Sequence, residues 1–374
     1  MSAEGAPRRG RLWGALALLV LLGAGLAWWL LGRGPRLRPE PLENVPDGAV
    51  AVARVELGAV MRSSLWRHFV SARGGDAGLE RLRERCGFDP ADQVEELVVF
   101  VSGEEPDSLD HVTVLARGPF DHEALGGCMR TVLEEEGRGM RQVEIDGVPA
   151  VAGERGDSRV AFLGRDGAVF GHEDAVREVI ATLQGEGETA ASDATLSDLW
   201  ARVAHDRDVG VAARVPAHWR ETATRRLEAS PARGILAELA SLEALGLGAR
   251  VSRGLALGLS LRFDAAEAAD GLGARLEALK GSVLDDPLVA LSPAGPAIRA
   301  IAIEPRGREL VVALDLDQER VDRLLELEEQ LREHPERLGR LLGRPAPSAP
   351  RPDRRPAPLP RDPAPDETLR SDGD

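Results

Sequence analysis

"VLARGPFDHEALGGCMRTVLEEEG", residues 114–137, and "LSLRFDAAEAADGLGARLEALKG", residues 259–281, are two versions of one passage. Each is an alternating apolar run, then Phe-Asp, then a stretch with helical spacing that closes on Gly. The spacing predicts a strand ending at the Phe (Phe120 or Phe263), which anchors into a core. The Asp (Asp121 or Asp264) is expected to cap the helix that follows by accepting its free N–H groups. Leu125, Cys128, Met129, Val132 and Leu133 then share one helical face, as do Leu272, Leu276 and Leu279 in the second copy. The doubled passage reads as a repeated fold signature and requires no ligand.

Two further pairs keep the same order. "GAVAVARVELGAVMRSSLWRHF", from Gly48, and "VGVAARVPAHWRETATRRLE", from Val209, each pass from a strand into a helix. Setting Arg54-Val55 on Arg214-Val215 gives an offset of 160; the Phe-Asp pair gives 143, and "HEDAVREVIATL" at 172 on "DQERVDRLLEL" at 317 gives 145. Three ordered matches at similar offsets point to a duplicated unit. Strand patterns run over 97–102, 112–117, 148–152, 159–163 and 168–171, then over 255–263, 298–303 and 309–315. Short turns such as "GRDG" and "EPRGRE" suit antiparallel hairpins. The expected class is α+β: an N-terminal transmembrane helix, two similar units each with an antiparallel sheet and helices on one face, and a disordered tail. The boundaries are a basic tail 1–11, a transmembrane signal-anchor 12–31, a linker 32–48, repeat units 49–184 and 185–344, and a tail 345–374 holding nine prolines.

Leu12 to Leu31 is twenty residues without a charge, long enough as a helix to cross about 30 Å of hydrocarbon. Trp13 stands near one end and Trp28 with Trp29 near the other, where indoles favour the interface. Gly25-Leu26-Ala27 has the small-x-small form of a cleavage site, but the apolar run continues through Leu31, which favours an uncleaved anchor. A short basic N-terminus before a large body favours N-terminus inside. The expectation is a single-pass inner-membrane protein with a periplasmic body, its lipid contact made through the N-terminal helix.

Charge narrows the partners. Net charge is −15; residues 1–38 carry +5 and 345–374 carry −1, so the body between them carries −19. Such a body repels phosphate backbones, so nucleic acid is excluded as an expected partner. One lysine, one asparagine and no tyrosine, with abundant Arg, Ala and Gly, indicate a GC-rich, bacterial coding bias.

Catalytic signatures are absent from the sequence: no GxxxxGK[ST], no GxSxG, no HExxH and no CxxC. Gly156-Asp157-Ser158 reads as a hairpin turn, and His122-Glu123 as the first turn of a helix, where Glu offsets the dipole. The seven histidines (68, 111, 122, 172, 205, 218 and 334) lack ligand spacing, and His172 is expected at a helix start. Glu104, Glu105, Asp107 and Asp110 share one loop without EF-hand spacing and read as a solvated turn. No catalytic, cofactor or metal residue is therefore assigned, and no cofactor is expected.

The remaining pair is Cys86 and Cys128, the two cysteines of the chain. Leu79, Leu82 and Cys86 share a helical face, and Cys128 lies on the apolar face after Asp121, so both point inward. They are either two buried inert thiols or, outside the cytoplasm, a disulfide that stabilises by about 4 kcal/mol through loop closure.

The N-terminal anchor, the strand after "VPDGAV", the "ARGPFD" element and "GAVFGHEDAVREVI" resemble a broad group of membrane-anchored bacterial envelope proteins with repeated α+β domains of unknown function. The resemblance covers residues 45 to 332 and implies architecture only. The functional expectation is a non-enzymatic binding or scaffold protein, with an envelope protein as a partner. The alternatives are a carrier of lipid or another apolar ligand, and a hydrolase whose carboxylates are dispersed among 62 Asp and Glu.

Overall fold

The computed structural model describes residues 35–333, except Phe88, 104–111, Phe120, 136–138, Arg155 and 229–237. Its strands are β1 Ala49–Val55, β2 Glu96–Ser102, β3 Val112–Arg117, β4 Met140–Ile145, β5 Val148–Gly153 and β6 Ser158–Leu163. They continue with β7 Gly167–His172, β8 Val209–Arg214, β9 Leu242–Arg250, β10 Leu255–Phe263, β11 Ala302–Arg306 and β12 Glu309–Leu316. All twelve join one sheet in the order β11-β12-β10-β9-β8-β1-β2-β3-β7-β6-β5-β4, every neighbouring pair antiparallel. Helices α1 Leu57–Met61, α2 Ser64–Phe69, α3 Ala77–Cys86 and α4 Pro90–Gln93 follow β1, and α5 His122–Glu135 follows β3. Next come α6 Glu173–Gln184 and α7 Ala194–Val203 after β7, and α8 Ala217–Glu228 after β8. Helices α9 Ala266–Leu284, α10 Pro287–Leu291 and α11 Ala294–Arg299 follow β10, and α12 Gln318–Glu333 follows β12.

Alternation along the strands decides the two faces. Val52, Val98, Phe100, Leu115, Val169, Ala161 and Ala150 point to one side, where Val176, Val179 and Ile180 of α6 and Leu196, Leu199 and Trp200 of α7 complete a core. On the other side Leu261, Phe263 and Leu310 meet Ala269 and Leu272 of α9. Helix α5 lies on that second side too, where His122 stacks on Phe162 at 4.8 Å. Asp193 caps α7 by accepting from Thr195 N (2.8 Å) and Leu196 N (3.0 Å). The end of α7 then rests on β9 where Gly248 leaves space. A Cβ at that position would stand 1.9 Å from the Val203 carbonyl oxygen.

Several expectations are corrected. The sheet is continuous, so the halves are not two units with separate sheets: seven strands come from residues 49–172 and five from 209–316. The reason is the central pairing of β1 with β8, which leaves neither half an open edge at the junction. Helices cover both faces, not one, because apolar residues alternate onto both sides of the strands. No helix among the described residues is long and apolar enough to cross a membrane. The longest, α9, has nineteen residues but carries Glu267, Asp270, Arg275, Glu277 and Lys280. Residues 12–31 lie outside those described, as does the tail 345–374. The stretch 32–48 is in part core: Leu42 and Val45 are buried, and Asn44 bonds Arg38 and the Glu40 carbonyl. Residues 294–299 are helical, so the strand expected at 298–303 begins at Ala302.

The Phe-Asp reading divides. Asp121 caps α5 through Glu123 N and Ala124 N, and Phe263 is fully buried. Phe120 lies outside the described residues, and α9 starts from Ala265 without a side-chain cap. Contacts divide the chain after Glu326. Of the unit 327–374 the structure describes 327–333, the last turns of α12, where Arg332 bridges Glu328 one turn back.

Candidate functional site

The β1–β8 ladder places Val52 opposite Ala212. Arg54 lies two residues beyond Val52, and Arg214 two beyond Ala212, on antiparallel strands. A half-turn about this pair therefore exchanges the two arginines. Each reaches across the junction to a backbone carbonyl: Arg54 Nη1 donates to Arg207 O (3.3 Å), and Arg214 Nη2 to Ala49 O (3.0 Å). The order of elements recurs about the same point. Strand, helix, two strands, helix, hairpin and helix follow in both halves, and the first half inserts β4 and β5.

Each of these arginines lines a cavity. Around Arg54 is one of about 470 Å³, lined among the described residues by Arg54, Arg62 and Arg117 against Glu56, Asp92, Glu95 and Glu96. Glu96 is buried and lies between two guanidinium groups, 3.2 Å from Arg54 Nε and 3.8 Å from Arg117 Nη1. Arg54 Nη2 also bonds Glu56 (2.5 Å), and Arg117 donates to the Arg38 carbonyl. The basic groups here are matched by acids of the same cavity.

Around Arg214 the cavity is larger, about 770 Å³, and the balance reverses. Arg214, Arg220, Arg262 and Arg308 line it with Glu243 the one acidic lining residue among those described, beside Gly48, Val50, Thr195, Val215 and Pro216. Arg308 donates through Nε to the Phe263 carbonyl (2.9 Å) and pairs with Glu243 at 2.5 Å. Arg214 Nε is 3.2 Å from Asp193 Oδ2, though not in hydrogen-bonding geometry. Arg262 is held loosely, 3.5 Å from Glu309 and 3.9 Å from Asp198. A bulge between Arg262 and Phe263 shifts the pairing so that Phe263 faces Leu242. Arg262 pairs with Ala244 and Glu309 in the ladders, and Glu243 engages Arg308 with no ion pair to Arg214 or Arg262.

Guanidinium groups present donors in a planar fork, so the arginines of this lining suit an anion. None of these arginines was assigned from sequence. Arg54 and Arg214 stood out only as markers of the repeat, and Arg262 and Arg308 enter through a bulge and a hairpin that residue spacing does not reveal.

The other sequence candidates are placed as follows. Gly156 and Asp157 lie in the β5–β6 connection, with Gly156 at φ +90°, and Ser158 opens β6. His172 sits at the start of α6 and accepts from Asp174 N (3.4 Å). Burial holds the His122 imidazole below the ordinary pKa, opposed by Asp121 and Asp166, and its Nε2 has no hydrogen-bond partner. Arg159 is buried and bonds Glu173 (Nε 2.9 Å, Nη2 2.7 Å). Bonds from Arg177 and then Arg159 hold the Glu173 carboxyl below the usual range. No cluster of three or more His, Cys, Asp or Glu with metal-holding geometry occurs among the described residues. The acidic loop 104–111 lies outside them. Cys128 carries no free thiol, and α3 packs on α5; the side chain of Cys86 lies outside the described residues.

No family model and no curated protein matches the chain. Among solved structures, one titled "Structure of crystal form I of TP0453" is similar at 11% identity over 79% of this chain and 99% of that one, with a TM-score of 0.43. A likeness of that size carries no argument about function.

Proposed function

We propose that this chain is a non-enzymatic binding protein and that it binds an anionic group in the cavity around Arg214 and Arg262. The observation that carries the reading is a cavity lined by Arg214, Arg220, Arg262 and Arg308, with Glu243 the one acidic lining residue among those described and Asp193, Asp198 and Glu309 partnering Arg214 and Arg262 from outside the lining. Guanidinium groups that line a cavity offer an incoming anion donors in a planar fork. The anion belongs to a small ligand or to an acidic side chain of an envelope partner. Its place, on the extracytoplasmic side of a membrane, rests on the basic N-terminus and the long uncharged stretch that follows it.

Thermal unfolding of the full chain in detergent tests this. Glutarate, a small dianion, should raise the melting temperature, whereas the neutral glutaramide should not. The stabilisation follows the ligand excess, about 2.7 kcal/mol at a hundredfold over Kd. The double variant Arg262→Met/Arg308→Met should lose the response, and Arg306→Met, whose partner Glu304 lies on the exposed β11, should keep it. A glutarate response that survives the double variant, or no response at all, rejects the proposal.

A further inference from the structure

No further inference is drawn: the strongest candidate, the half-exposed apolar face that the central strands turn away from α6 and α7, where Phe170 and Leu247 lie, carries nothing because nothing in the structure shows what covers it.

Discussion

Gly248 marks how closely α7 approaches the sheet. Its position admits no side chain, because the Val203 carbonyl oxygen would lie 1.9 Å from a Cβ and backbone cannot swing aside as a flexible side chain can. Gly248→Ala should therefore destabilise by about 1–3 kcal/mol, the usual range for overpacking. Chemical denaturation of that variant beside Gly258→Ala checks it, since nothing stands within 4 Å of a Cβ at Gly258. Equal losses at both glycines would show that helix contact is not the cause. His122 gives a pH dependence. Burial lowers its folded-state pKa below 6.5, so the unfolded chain binds the proton more readily. The contribution from this group is complete above about pH 6.5 and declines as pH falls from there towards the folded value. The urea midpoint should fall across that window, and His122→Leu should flatten the decline. An unchanged slope in the variant would assign the decline to the many carboxylates instead.

At the scale of elements, the strands that read most clearly are those with strict alternation. β3, expected at 112–117, is observed at Val112–Arg117, and the pattern at 255–263 is β10. β9, Leu242–Arg250, escaped notice because Gly246 and Gly248 interrupt its apolar pattern, and they do so to admit α7. The stretch at 298–303 misled for the opposite reason: Ile298, Ala300 and Ile301 look strand-like, but the turn begun at Ala294 continues as helix to Arg299. The doubled Phe-Asp passage located two strand-to-helix turns, yet only Asp121 caps, since α9 takes its start from Ala265. The packing of α3 on α5 supports a bond between Cys86 and Cys128. Thiol labelling of the denatured, unreduced protein from its native compartment should then find no reactive cysteine, and two labelled thiols would refute the bond.

At the scale of the whole chain, the sequence offered ordered similarities between its halves but not the way the halves join. Similar offsets in sequence say that a unit recurs, but they do not say whether the copies stand apart or share strands. That choice is made by the β1–β8 ladder, five residue pairs formed across more than 150 positions of sequence. The candidate site follows from the same ladder, since it places Arg54 and Arg214 at opposite ends of one axis and so makes two cavities from one pattern. An arginine at a strand end reads in sequence as a surface charge. It becomes part of a shared cavity only once Arg262 and Arg308 are brought beside it by a strand and a hairpin turn 48 and 94 residues further on.

The central claim is that an anion sits between these arginines, and the most direct measurement is a crystal structure of the chain grown with glutarate. The account predicts one carboxylate within about 3 Å of the Arg262 and Arg308 guanidinium groups, with the cavity around Glu96 unchanged. Glutarate bound elsewhere while the arginine cavity holds only water would contradict it.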